Sequence, residues 1–267
     1  DVVRSRGLGD VYKRQDWNRA SVIIWSIGNE TPFSDARMEF MIDLKETAEG
    51  LDSSRLISAA LLSGSVEQFR SLTYFLAKEG LKHGFVSDYE KAIFKQIVSQ
   101  LQPLYGSMDA FRINIKDPLA EHLDIIAYNE YFGWYYTSFI VDQLGVEEST
   151  LRKLMFKLMP SIKIESQYKK PIHLSEFGAG AKRNFKADGG IWSEEYQEDV
   201  YRHQLEMIQN NDQIQGLSPW ILKDFRSMMR PLAGVQDFYN RKGLVDEDGK
   251  KKKAFKVLQQ FYQDEWE

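Results

Sequence analysis

The sequence contains no cysteine, which excludes a disulfide framework and thiolate chemistry while leaving every compartment open. It has no apolar run approaching the ~20 residues that a membrane-crossing helix needs. No apolar segment of the signal-peptide type opens it, and no membrane partner is expected. It also lacks an excess of positive charge: 35 Lys and Arg stand against 39 Asp and Glu, for a net charge of −4. No global field therefore draws nucleic acid, and none is expected as a partner. The single basic run, residues 250–253 (KKKK), follows an Asp248-Gly249 turn and reads as a solvated helix start. Internal repeats and low-complexity linkers are absent from the pattern.

What is abundant is aromatic and apolar. Aromatic residues make up 13%, including six Trp and thirteen Tyr, and hydrophobic residues 43% of the 267. That composition supports a large core. It equally suits a sugar-binding cleft, where flat rings stack on pyranose faces, and composition alone does not separate the two. Residues 1–15 fit poorly with the rest: they are basic, carry Gly7 and Gly9, and show no period. They resemble translated adapter sequence and are expected to form a non-native or disordered N-terminal segment.

From residue 16 onward, apolar runs alternate with amphipathic stretches. The β-branched run 21–27 (SVIIWSI) predicts a strand buried on both faces. Ser34 then caps a helix carrying Met38, Met41, Ile42 and Leu44 on one side. Further strands are predicted at 55–61, 124–128, 171–175 and 216–222, the last weakened by Pro219. Helices are predicted over 147–168 with a break at Pro160, over 193–211 with Ser193 as N-cap, and over 254–262. Strands alternating with helices imply an α/β fold with a parallel sheet. Residues 62–123, helical over 87–101, are too long for an ordinary loop and read as an inserted helical segment over one end of the sheet. Five strands fit either an open sheet or part of a (β/α)8 barrel, which needs eight.

In parallel α/β folds the chemistry lies beyond the carboxyl ends of the strands. Four acids stand there: Glu30, Glu130, Glu176 and Asp224. Glycoside hydrolysis needs two carboxyls flanking one bond, so these are the right groups, but an acid in this position serves equally to cap a helix or pair with Lys. Position alone does not choose the pair. The neighbours add detail: Gly28 permits a tight exit from the strand before Glu30, Asn29 puts an amide beside it, and Gly178, Ala179 and Gly180 leave room near Glu176.

Five segments carry a family resemblance. SVIIWSIGNE (21–30) resembles the acid/base motif of glycoside hydrolase family 2, and PIHLSEFGAGA (171–181) its nucleophile motif. NEYFGWY (129–135) resembles the aromatic segment between those glutamates, and GLSPWILKDF (216–225) the last-strand motif. NRKGLVDEDGKKKKAF (240–255) resembles the C-terminal signature of the β-glucuronidase branch. Order and spacing fit over most of 16–262, with the weakest match at 62–123. The resemblance implies a truncated TIM barrel, with strands four to eight present in residues 16–267 as the C-terminal portion of the catalytic domain.

It also implies a mechanism. Glu30 becomes the acid/base, giving its proton to the departing glycosidic oxygen. Glu176 becomes the nucleophile that forms a covalent glycosyl-enzyme. Retention requires the two carboxyls about 5–5.5 Å apart. Asn29 would bind the 2-hydroxyl, Tyr131 would orient the nucleophile, and Trp134 and Trp220 would wall the sugar subsite, unless those rings only pack the core. Glu130 falls at a variable position of the motif and Asp224 at a structural one. Asn240 and Lys242 form the Asn-x-Lys pattern that binds the uronic carboxylate, which points to β-glucuronides; otherwise Lys242 is one of several solvent lysines. A β-galactosidase of the same family is the alternative, as is an inactive fragment lacking the first barrel strands. The approach at 232–239 departs from the family's usual pattern, which leaves aglycone and linkage open. No cofactor or metal is expected. Homo-oligomeric assembly of a full-length parent stays open.

Overall fold

The computed structural model describes residues 16, 18–61 and 65–264; the segment 1–15 lies outside them. A five-stranded parallel sheet forms its centre. Its strands are β1 (Ile24–Asn29), β2 (Leu56–Leu61), β4 (Ile125–Asn129), β6 (Ile172–Glu176) and β7 (Ile214–Leu217), hydrogen-bonded in that order. Every pairing is parallel, and each link between neighbours carries at least one helix. The right-hand logic of such crossovers yields consecutive staves of a TIM barrel, here five of them.

The sequence explains the helices locally. Ser34 accepts from the Arg37 amide at 3.0 Å to start α1 (Asp35–Leu51). Reciprocal Ser65–Gln68 and Ser87–Glu90 capping boxes start α2 (Val66–Gly80) and α3 (Asp88–Tyr105). Helices α4 (Tyr135–Leu144) and α5 (Glu148–Leu158) follow β4. Ser193 caps α6 (Glu194–Gln209), which packs against the final helix α7 (Lys253–Asp264). Ile57, Leu61, Ile126, Ile172 and Leu174 of the three inner strands are almost wholly buried and join one core with Leu72, Phe94 and Leu154 of the helices.

Several expectations need correction. The run beginning at residue 21 enters the sheet only at Ile24, and β1 is half-buried rather than buried on both faces, because it is paired on one side only. The helix expected over 147–168 ends at Leu158; a short 3-10 turn at Met159–Ser161 follows, and Lys163–Ser166 is a strand, β5. It pairs with β3 (Arg112–Ile115) in a separate parallel ribbon. Its two-residue alternation sets buried Ile164 and Ser166 against half-buried Lys163 and Glu165. The last sheet strand stops at Leu217, so 218–222 leaves the sheet toward the site. Residues 66–80 and 88–105 are helices that pack on each other, with α2 also touching α5. A two-stranded antiparallel hairpin, β8 (Phe225–Arg226) with β9 (Tyr239–Asn240), closes the set. No helix among the described residues is long and apolar enough to cross a membrane.

Candidate active site at the carboxyl ends of the strands

Glu30 directly follows β1 and Glu176 ends β6. Glu30 takes a left-handed backbone, φ 49°, and its amide donates to Ala60 O at 2.9 Å on the neighbouring strand. The chain thus turns out of the sheet with the Glu30 side chain exposed. Glu176 is half-buried. Tyr131, which follows β4 by two residues, donates its hydroxyl to Glu176 Oε2 at 2.7 Å. Burial holds the Glu176 carboxyl above the usual carboxylate range, and the nearby Glu30 charge adds to this; the Tyr131 hydrogen bond and the Lys242 ammonium oppose it. The two glutamates therefore share one electrostatic site, although β2 and β4 separate their strands in the sheet. Burial and the bond to Glu176 drive the Tyr131 phenol far above its ordinary value, so it remains a donor throughout the working pH range.

Asn29 belongs to a chain of side chains that the motifs did not reveal. Asn129 Nδ2 donates to Asn29 Oδ1 at 3.0 Å, and Ser175 Oγ donates to Asn129 Oδ1 at 2.7 Å. With its oxygen engaged, the Asn29 amide presents its Nδ2 donors to the exposed side. Asn129 is the last residue of β4, one position before Glu130, and only the alignment of β1, β4 and β6 brings it to Asn29.

A cavity of about 190 Å³, lined by Trp134, Tyr135, Trp192, Arg230, Asn240 and Lys242 among others but by neither glutamate, connects with Glu176 through the Lys242 charge. Trp134 meets Trp192 edge-on at 4.8 Å and packs with Tyr131 and Tyr196 in a small aromatic cluster that Trp220 borders. The Trp220–Ile221 peptide is cis. Lys242 is 6% exposed. Its ammonium bonds the Tyr135 hydroxyl and lies 4.6 Å from the Tyr131 ring centroid and 4.4 Å from that of Tyr135. It makes no salt bridge among the described residues, and burial lowers its pKa, which the Tyr135 hydroxyl and Glu176 oppose. Lys242 is thus no solvent lysine. Asn240 Oδ1 accepts from the Lys242 amide at 3.1 Å, which fixes the turn between them. Arg230 and Tyr135, 3.4 Å apart, add donors that the motifs had not singled out.

Arg241, between Asn240 and Lys242, also lines the cavity, and its guanidinium joins a buried ion cluster. It bonds Asp224 and Glu247, while Lys252 Nζ reaches Asp224 Oδ1 at 2.8 Å, Ala181 O at 2.6 Å and Arg241 O at 3.1 Å. Asp224 and Lys252 side chains are completely buried. This corrects the reading of 250–253 as wholly solvated: Lys250, Lys251 and Lys253 are exposed, but Lys252 is an internal pin. Gly243 is required here, because a Cβ would lie 2.3 Å from the Asp224 nitrogen.

The family model described as Glycosyl hydrolases family 2, TIM barrel domain, matches residues 9–265. A Formosa agariphila protein named "Putative beta-glucuronidase" is 25% identical over 266 residues, which cover 94% of this chain and 26% of that protein. Among solved structures, the GH2 beta-galacturonidase of Eisenbergiella tayi bound to galacturonate superposes with a TM-score of 0.62 at 20% identity over 97% of this chain and 36% of its own. The beta-glucuronidase of Faecalibacterium prausnitzii superposes with a TM-score of 0.62 at 19% identity, covering 98% of this chain and 35% of its own. The chain spans about a quarter of the curated relative and about a third of these structures.

Proposed function

This chain belongs to glycosyl hydrolase family 2, as its TIM barrel domain, and from that premise we propose that it carries the reaction centre of a retaining exo-β-glycosidase acting on terminal β-D-glucuronides. Glu30 serves as acid/base: it protonates the departing oxygen, then takes the proton of the incoming water. Glu176 attacks the anomeric carbon and holds the sugar as a covalent ester until that water releases it. The Glu30 charge opposes ionisation of Glu176, so the charge on one carboxyl bears directly on the other. Tyr131 keeps Glu176 aimed and stabilises its charge. The free Asn29 donors take the sugar 2-hydroxyl, and Trp134 and Trp220 supply apolar walls.

The observation that carries the uronide reading is Lys242. A buried ammonium with no carboxylate in contact among the described residues is costly unless a ligand compensates it. It lies in the same cavity as Asn240, beside Glu176. A sugar carboxylate at that point would receive charge-assisted hydrogen bonds from Lys242 and an amide donor from Asn240. A neutral galactoside would leave the cation unpaired.

The test compares aryl β-glucuronide, β-galacturonide and β-galactoside on the chain and on a version extended upstream. The expected outcome is preference for a uronide, with Lys242→Ala costing the uronide about 10²-fold in kcat/KM and the galactoside little. Equal turnover of galactoside and uronides removes the carboxylate argument. Glu176→Gln is expected to abolish covalent labelling by a fluorinated glycosyl donor; a label persisting on another residue overturns the nucleophile assignment.

A further inference from the structure

Between Asn129, which orients Asn29, and Tyr131, which bonds Glu176, stands a glutamate that the mechanism does not use. Glu130 is fully buried. Its Oε1 accepts from the Phe132 amide, and its own amide donates to Glu176 O at 2.8 Å. Gln204 of α6 reaches into the same space: its Nε2 donates to Phe132 O at 3.0 Å, and its carboxamide is within hydrogen-bonding reach of the Glu130 carboxyl. That leaves two buried oxygens, Glu130 Oε2 and Gln204 Oε1, that meet no donor among the described residues. Both are acceptors if Glu130 is ionised, which would waste two buried groups at once. A proton on Oε2 turns that oxygen from an acceptor into a donor, and the neighbouring Gln204 carboxamide carries the unmet acceptor, Oε1, that such a donor needs.

We propose that Glu130 is a positioning residue protonated at neutral pH, a neutral acid that clamps the segment 130–134 to α6 and so delivers Tyr131 to Glu176 and Trp134 to the cavity wall. The rest of the segment is held in the same manner. Gly133 O accepts from Arg152 of α5 at 3.0 Å and from the Tyr196 hydroxyl of α6. Glu130 thus supplies the first of three internal clamps on five residues that carry two site side chains. The groups facing it are the Phe132 amide and Gln204, with the Glu176 backbone on the sheet side; burial pushes its carboxyl up to about 8, against the Phe132 and Gln204 hydrogen bonds, which lower it, and no charged side chain among the described residues contributes. The inference rests on the proposed site only for its catalytic consequence; the proton itself is a property of the fold.

The test uses the whole chain with Glu130→Gln and Glu130→Leu. Gln keeps the bridge, accepting from Phe132 and donating to Gln204, but cannot ionise. In the wild type the native state keeps a proton that the unfolded chain releases, so stability falls as pH rises from the ordinary carboxylate pKa to about 8. The melting temperature of E130Q is therefore expected to gain on the wild type progressively between about pH 5 and pH 8 and to hold that gap above it. With an aryl glucuronide, E130L is expected to lose kcat at least tenfold and E130Q to restore it. The E130Q to wild-type ratio should be level at neutral pH and rise above about pH 8. A melting gap independent of pH, or E130Q as impaired as E130L, overturns the proposal. If no uronide is turned over by any form, the proposed function fails while the melting profiles still decide the protonation of Glu130.

Discussion

At the residue scale, Glu176 is the group on which opposing influences meet. Burial and the Glu30 charge raise its pKa, whereas the Tyr131 hydroxyl and the Lys242 ammonium lower it. The acid limb of kcat/KM reports ionisation of the nucleophile in the free enzyme, so it should lie above the ordinary carboxylate pKa. Tyr131→Phe and Lys242→Met each remove a lowering influence, and each should move that limb to higher pH; kcat/KM profiles on an aryl glucuronide measure this. A limb that stays in place in both variants means that Glu176 is not the group titrating. Tyr131→Phe should also lower kcat by about 10- to 100-fold, the range of a lost charge-assisted hydrogen bond. The motifs allow Glu30, Glu176, Tyr131 and Lys242 to be proposed from sequence because those residues stand in short segments whose chemistry is local. Asn129, Gln204 and Lys252 were not legible in the same way. Each acts on a residue 28 to 100 positions distant, as in Asn129 to Asn29 or Lys252 to Asp224, and no spacing along the chain encodes such a contact.

At the element scale, the loop from Gly178 to Ser193 and the hairpin of β8 and β9 are both irregular, and both are tied down by buried charge. Lys252 binds Ala181 O on the first and Arg241 O on the second, with Asp224 neutralising it. Lys252→Met should therefore leave two carbonyls unmet and Asp224 short of one cation, costing about 3 kcal/mol of stability by the usual cost of breaking a buried pair, measured by urea unfolding. It should also raise KM for a glucuronide more than for a galactoside, since Arg241 is flanked by the two carboxylate-binding candidates. Equal KM changes mean that the cluster supports the fold alone. Ser193→Ala, which removes the cap on α6, should cost about 1 kcal/mol and leave the KM ratio alone, and so provides a control of known mechanism. The same scale shows what periodicity missed. The four residues of β5 follow a helix and a proline turn so closely that their two-residue alternation merges into the helical pattern, whereas the longer apolar runs of β2, β4 and β6 stand out.

At the scale of the whole molecule, five parallel strands leave two edges, at β1 and β7. Closed barrels have none, and an open edge presents unpaired backbone groups to any other strand. Apolar side chains flank both edges: Ile23 is 69% exposed beside β1, and Leu222 is 61% exposed after β7. A groove beyond the end of β7 is lined by Leu222, Leu244, Phe255, Leu258 and Tyr262. The chain taken alone should therefore self-associate as concentration rises, and sedimentation velocity should show mass growing across the micromolar range. Ile23→Lys with Leu222→Lys places charge at both edges, the device by which natural sheets blunt theirs, and should suppress that growth without altering the helix content. A longer chain supplying further strands to the sheet should show no such growth even with Ile23 and Leu222 intact, because strand pairing would cover what the lysines merely repel. If the double substitution leaves association unchanged, the contacts lie elsewhere, and the exposed Met228 and Met229 of the β8–β9 hairpin become the surface to alter next.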